Sequence, residues 1–310
     1  MCAELLQPHT LGQSTDRPGE PPSPPSSSAG ARAASKTALL AAAYRARMSA
    51  RPNPLCDDPW AGALAGEEGH ALAEELLKSS PDADPPDDVI TGLRVSYLDA
   101  YVARHTRGAG EFRQVVILGA GLDTRAVRFA HEGVTFYEVD HPESQLYKRE
   151  RVRELEGYPA AAARYVSCDF ACGDYIRELA AAGFHADEPA LFILEGVVHY
   201  LTEALIRSVL ASVATKCNPR STVLFDYLSH ILEEERDSYE ISAELGEPVL
   251  WTNRDPLLLL HELGFRHIRT TAFEQLYTSA TGERSARESF IHTCFIARAA
   301  REVAGSPYLW

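Results

Sequence analysis

"QVVILGAGLDTRAVRF", residues 114–129, is the stretch whose reading decides the fold. Its first part is a short apolar run of the kind buried on both faces of a parallel sheet. The run enters Gly-Ala-Gly directly, and a polar segment follows. In a doubly wound sheet this first strand-to-helix turn is where the ligand sits, because glycine lets a nucleotide-like molecule approach the backbone. Gly119 and Gly121 supply that freedom, but position 124 is Thr, so the dinucleotide fingerprint G-x-G-x-x-G is incomplete. Taken alone, a G-x-G is also compatible with a tight turn that binds nothing. An acid, Asp123, stands inside the turn and needs an explanation.

Outward from the turn, apolar runs recur as "VTFYEVD" (134–140), "ARYVSCD" (163–169), "ALFILEG" (190–196) and "STVLFDYL" (221–228). Helical patterns such as "PESQLYKRERVREL" and "TEALIRSVLASVATKC" separate them. Alternating strand and helix predicts a doubly wound, mostly parallel α/β sheet. Near the end, "HELGFRHIRTTAF" and "ESFIHTCFIARA" read as a helix, a strand, a turn region and a last strand. With no helix expected between them, the two final strands are predicted to be an antiparallel pair. Before residue 113 the spacing predicts about three helices, beginning at "SKTALLAAAYRARM" with Ser35 as N-cap. Residues 1–34, rich in Pro, Ser, Gly and Ala, have almost nothing to bury and are expected to be disordered. The expected organisation is thus a tail (1–34) and one domain (35–310). That domain divides into a helical cap (35–112) and a sheet core (113–298), with a lid insertion at about 229–262.

The strand ends carry the chemistry. Asp140 closes the second run, 19 positions after Gly121, where an acid can grip ribose hydroxyls. Asp169 closes the third and Glu195 the fourth. One such acid is explained as a polar sheet edge; three on successive strands are not. Such a ring repels a pyrophosphate and favours a ligand carrying a ribose and a positive charge. A sulfonium is complementary to it, which points to S-adenosylmethionine rather than NAD.

At these residues the chain resembles a known family. "VVILGAGLDTRAVRF", "FYEVDHPESQLYKRERV" and "LFILEGVVHYL" are similar to signature blocks of the leucine carboxyl methyltransferase family, whose members include bacterial O-methyltransferases of polyketide and other secondary metabolism. "SKTALLAAAYRA", "LCDDPWAGAL" and "LRVSYLDAYV" are similar to its N-terminal blocks, so the likeness spans roughly residues 35–298. It implies a class I methyltransferase: a Rossmann-like, seven-stranded sheet with a helical cap folded over S-adenosylmethionine. It also implies that Gly119 and Gly121 pass under the methionine part and Asp140 binds the ribose. Asp169 and Phe170 flank the adenine, Glu195 lies near the methionine amine, and Arg94 binds the carboxylate. Lys36 is implied to reach the cofactor. Asp123 belongs to this family's version of the turn, and a pairing with Arg125 is expected to hold the loop. One departure stands out: after "EGV" the family has apolar residues before Tyr-Leu, whereas here Val198-His199-Tyr200 occurs. His199 is either a hydrogen-bonded structural residue or a general base titrating near the ordinary imidazole value, with Tyr200 orienting.

Composition excludes other classes. A formal net charge of −14 on 310 residues, with no Lys/Arg run, argues against nucleic acid or an anionic membrane as partner. "MCAELLQPHT" lacks a basic region followed by an apolar core, and no segment is apolar enough to span a bilayer, so the chain reads as cytoplasmic. Six cysteines without a secretion signal read as reduced thiols, and Cys168 with Cys172 lacks the further ligands a metal needs. The expected activity is methyl transfer to a hydroxyl or carboxylate oxygen of a small molecule. A protein carboxyl acceptor is the alternative within the fold. A nicotinamide-dependent oxidoreductase is disfavoured by the missing glycine, the acids and the lack of a Tyr-x-x-x-Lys pair in the cleft region. A non-catalytic scaffold is disfavoured by the intact glycines and acids. A chain beginning near Ala33 is expected to keep the full chain's thermal stability and S-adenosylmethionine affinity, measured by scanning calorimetry and titration. Loss of most of its stability contradicts the domain boundary.

Overall fold

The computed structural model describes residues 35–108, 110–229, 242–252, 256–286, 291 and 294–302. The expected tail, 1–34, and residues 230–241 and 253–255 of the expected lid lie outside the described residues. Three helices come first: α1 (Lys36–Ser49), α2 (Ala61–Ser79) and α3 (Asp87–Thr106). Ser35 caps α1 by accepting the Ala38 N–H at 3.2 Å.

The apolar runs become β1 (Gln114–Leu118), β2 (Thr135–Asp140), β3 (Ala163–Ser167), β4 (Ala190–Leu194) and β5 (Thr222–Leu228). They alternate with α4 (Arg125–Arg128), α5 (Pro142–Glu154), α6 (Tyr175–Ala181) and α7 (Glu203–Lys216). After β5 come α8 (Leu257–Glu262), β6 (His267–Ala272), α9 (Phe273–Thr281) and β7 (Cys294–Ala300). The seven strands form one sheet in the order β3-β2-β1-β4-β5-β7-β6. Pairings among β1 to β5 are parallel, while β7 lies antiparallel between β5 and β6. The strand order reverses direction between β1 and β4, so the crevice beyond their carboxyl ends is the natural ligand site.

The central runs are apolar without alternation because both sheet faces are covered. Val116, Leu118, Tyr137, Phe192 and Phe225 point to the face packed by α6 and α7. Val115, Ile117, Phe136, Ile193 and Leu224 point to the other, where α3 lays down Leu98, Tyr101 and Val102. Those three recur at i, i+3, i+4, the spacing of one helical face.

One expectation is corrected. The last two strands are antiparallel, but a helix does stand between them: α9. Phe273, Leu276 and Tyr277 form its apolar face against α3 and β7, and Gly282, at φ 76°, ends it in the left-handed conformation. Antiparallel pairing arises because β7 inserts between β5 and β6, whatever the connection holds. Among the described residues, no helix is long and apolar enough to cross a membrane.

Candidate active site

The glycine turn is held from several sides. Gly119 (φ 69°) and Gly121 (φ 46°) both adopt conformations that L side chains avoid. A Cβ on Gly119 would lie 2.6 Å from Cγ2 of Val197, so this position has no room for a side chain. Gly121 N–H donates to Asp140 Oδ2 at 2.6 Å, tying the turn to the end of β2. The helix after the turn, α4, is a single turn, too short to rigidify a loop on its own, and side chains do that work. Arg45 of α1 donates to the Leu122 carbonyl at 2.7 Å, and Lys148 of α5 donates to the Asp123 carbonyl at 2.5 Å while pairing with buried Glu138.

Asp123 is explained by Arg125. The Arg125 backbone N–H donates to Asp123 Oδ1 at 2.6 Å, and its guanidinium pairs with Asp123 Oδ2. The same guanidinium reaches Asp99 of α3 at 2.8 Å and Glu195 beyond β4 at 2.5 Å. Glu195 then pairs with Arg94 at 2.9 Å, and Arg94 pairs with Asp226 of β5 at 3.0 Å. On the other side Arg128 pairs with Asp99, and Arg45 with Asp58 at 2.9 Å. Burial alone raises the Glu195 carboxyl, but the Arg125 and Arg94 guanidiniums hold it down at about 2. Sequence reasoning identified Arg94, Glu195 and the Asp123–Arg125 pair but missed Asp226, Asp99, Arg45 and Asp58. Asp226 carried a readable signal, an acid within the otherwise apolar fifth run, and its Oδ1 accepts the Gly196 N–H at 2.7 Å.

A cleft of about 510 Å³ opens over the turn, within the range of small-molecule sites. It brings together Gly119, Gly121, Asp140, Asp169, Phe170, Glu195, Arg94, His199 and Tyr200. Asp140 ends β2; Asp169 lies two residues past β3 and Glu195 one past β4. Asp140 Oδ1 accepts the His141 N–H at 2.7 Å, so each Asp140 oxygen takes one backbone donor and keeps a lone pair. Burial nonetheless raises the Asp140 carboxyl, against those two hydrogen bonds. Phe170 stands edge-on to Tyr175, centroids 5.7 Å apart. Among the described residues, the charged groups lining the cleft are two arginines, Arg45 and Arg94, against five carboxylates, Asp123, Asp140, Asp169, Glu195 and Glu247. The site is therefore electronegative.

Lys36 is the exception among the expected residues. It is exposed and does not line the cleft. Thr37, Ala38, Ala41 and Arg45 of α1 do, and a helix that turns these inward carries Lys36 on a different face. Thr37 Oγ1 instead hydrogen-bonds Glu247 across the cleft.

His199 sits in a single 3-10 turn, Val198–Tyr200, after β4. It is 7% exposed, and its Nδ1 has no hydrogen-bond partner among the described residues. Its ring stands edge-on to Tyr200 at 4.2 Å, while its carbonyl accepts the Leu250 and Trp251 N–H groups at 2.7 and 3.2 Å. Burial pushes the imidazole down to about 4, with Asp226 pulling upward and Arg94 downward. The expectation of a titration near the ordinary imidazole value is corrected accordingly. Tyr200 is pushed up to about 12, by burial first and Glu247 second, so its phenol stays protonated. Both residues also line a second cavity of about 200 Å³.

The leucine carboxyl methyltransferase family model matches residues 38–214, more than half of the chain. The chain belongs to the leucine carboxyl methyltransferase family. A Mycolicibacterium gilvum protein provisionally named as an S-adenosyl-L-methionine-dependent methyltransferase is 34% identical over 64% of this chain and 67% of its own length. A like-named Mycobacterium ulcerans protein is 29% identical over 82% and 87%. A crystal structure of a provisionally named methyltransferase from Thermobifida fusca superposes with TM-score 0.56 at 17% identity, covering 85% of this chain and 95% of that one. That likeness establishes the fold. The chain is an S-adenosylmethionine-dependent methyltransferase.

Arg125→Met is expected to lower stability by about 3–5 kcal/mol, because Asp123, Asp99 and Glu195 lose a shared buried cation. Chemical denaturation checks this; a loss below about 1 kcal/mol would show that the carboxylates are adequately solvated without it.

Proposed function

We propose that the enzyme methylates a hydroxyl or phenol oxygen of a small, secondary-metabolite-like acceptor, with His199 receiving the proton. In this reading Gly119 and Gly121 leave space for the methionine part of S-adenosylmethionine, and Asp140 takes the ribose hydroxyls on its remaining lone pairs. Asp169 and Phe170 flank the adenine. Glu195 faces the amine, and Arg94, whose Nη2 has no hydrogen bond among the described residues, receives the carboxylate. The residues fit such a cofactor: Asp140 and Asp169 line the cleft beside the glycine turn, and each Asp140 oxygen accepts one backbone N–H and keeps a lone pair. When bound, S-adenosylmethionine supplies an electrophilic methyl group on a sulfonium.

The observation that carries the acceptor reading is the buried imidazole of His199, its Nδ1 without a hydrogen bond among the described residues, in the wall shared by cleft and second cavity. A structural histidine in a core is held by hydrogen bonds to its ring. This one is buried without such a bond at Nδ1 and is neutral at physiological pH, the form that accepts a proton. As the acceptor oxygen gains its methyl group, its proton becomes strongly acidic and passes to the imidazole, then to solvent through the open cleft. Tyr200, protonated, orients the acceptor oxygen as a hydrogen-bond donor. Alignment and exclusion of water supply the rest of the rate. The family name favours a second reading, transfer to a carboxylate, including one on a protein; that reaction needs no base.

Asp140→Ala is expected to weaken S-adenosylmethionine binding by about 1.5–3 kcal/mol, roughly tenfold to more than a hundredfold, in a calorimetric titration. Unchanged affinity would remove Asp140 from the site. His199→Gln is expected to lower turnover by about 10²–10⁴-fold with cofactor affinity preserved; near-normal turnover, with the methyl found on a carboxylate, would favour the second reading. Because the active imidazole is neutral and its folded value is about 4, the parent's rate is expected to stay level from pH 8 to about 5 and to fall below that. The sign for stability follows. The unfolded imidazole takes a proton near pH 6.5 and the folded one does not, so the parent loses stability relative to His199→Gln as pH falls from about 6.5 toward 4.

A further inference from the structure

The second cavity, of about 200 Å³, shares Thr37, Ala41, Arg94, His199 and Tyr200 with the cleft. It therefore begins where the glycine turn and its acids end, on the far side of His199. Its walls are mainly apolar, with Leu40 of α1, Leu76 of α2, Ile90 of α3, Leu245, Val249 and Phe273 of α9. The volume falls below the usual range for drug-sized ligands, so the occupant is a molecule of one or two rings or comparable bulk.

Two polar features define what that occupant carries. Among the described residues lining the cavity, the charged groups are Arg94 against Asp87 and Asp226. Arg94 is committed to Asp226 and Glu195, and in the reading above its remaining Nη2 goes to the methionine carboxylate. An acceptor carboxylate entering here would lose water and meet an excess of negative charge with no cation to spare. A neutral acceptor meets no such penalty. The second feature is Tyr44, one α1 turn past Leu40. It is 4% exposed, it lines this cavity, and its hydroxyl has no hydrogen-bond partner among the described residues. A buried hydroxyl left unpaired is unusual in a folded protein. Tyr44 lines this mainly apolar cavity, and a ligand oxygen reaching its buried hydroxyl would supply the partner that hydroxyl lacks.

We propose that this cavity is the acceptor site and takes a neutral, mostly apolar hydroxy compound bearing a second oxygen, which accepts a hydrogen bond from Tyr44. The proposal rests on the O-methyltransferase reading above and adds the acceptor's charge, bulk and second polar group. Tyr44 is thereby a specificity-determining residue, remote from the methylated oxygen.

The test uses the full chain saturated with S-adenosylhomocysteine and titrated calorimetrically with three probes of one skeleton: 2,6-dihydroxynaphthalene, 2-naphthol and 2-naphthoate. The diol is expected to bind most tightly and the naphthoate most weakly. Tyr44→Phe is expected to weaken the diol about tenfold, to the level of 2-naphthol, while S-adenosylhomocysteine affinity and thermal unfolding match the parent. Should Tyr44→Phe not fold, Leu245→Trp, at a half-exposed position on the cavity wall, is expected to abolish diol binding and spare S-adenosylhomocysteine. Naphthoate binding as tightly as the diol overturns the proposal. So does absence of diol binding, or diol affinity unaltered in Tyr44→Phe or, where that variant does not fold, in Leu245→Trp. Failure of S-adenosylhomocysteine itself to bind would instead strike the functional reading on which the proposal rests.

Discussion

A guanidinium sealed from water underlies both the architecture and the cleft. Arg125 is 1% exposed, and its charge is compensated by Asp123 in the turn, Asp99 on α3 and Glu195 past β4. Such a group is tolerated inside a protein only when its partners are fixed around it, and removing the guanidinium leaves buried carboxylates short of a cation. The pairing therefore dictates where the turn, the third helix and the fourth strand stand relative to one another. Extension through Arg94 to Asp226, and through Arg128, Asp58 and Arg45, ties the first helix and the fifth strand to the same centre. The helical cap is fastened to the sheet by this chain of charges as well as by apolar packing.

The same network sets the electrostatics of the cleft. Glu195 and Asp123 are spoken for by arginines, while Asp140 and Asp169, which also line the cleft, have no ion pair among the described residues. A positively charged ligand with ribose hydroxyls finds acceptors there without displacing a structural ion pair. At the far end burial takes over. His199 is uncharged and Tyr200 keeps its proton, so the boundary with the second cavity carries neutral polar groups. The electronegative cleft and the mainly apolar second cavity thus share a wall, which suits the proposed transfer from a cationic donor to a neutral acceptor.

Much of this was legible in the chain itself. Strands buried on both faces must be apolar without interruption, so β1 to β5 announced themselves, and acids closing such runs have to lie at one edge of the sheet. Asp123 and Arg125 are two residues apart, close enough for their pairing to be anticipated. By contrast α9 is only nine residues long, too short for its periodicity to stand out between two strands. Lys36 was misplaced because the facing of a first helical turn depends on how the whole helix docks. Asp99 and Asp58 look like ordinary surface acids in helix and loop patterns, and nothing local reveals that they meet arginines 26 and 70 positions later.

The sequence by itself determined the sheet, its glycine turn, the acids along its carboxyl edge and the family, because each depends on short-range pattern and residue type. Only the tertiary structure decided which charges are neutralised, that among the described residues nothing bonds the buried His199 Nδ1, and that Tyr44, its hydroxyl likewise unpaired among them, lines a mainly apolar cavity. Those properties are set by solvent exclusion and by partners distant in the chain. Neither is defined until helices, turn and sheet have closed on one another.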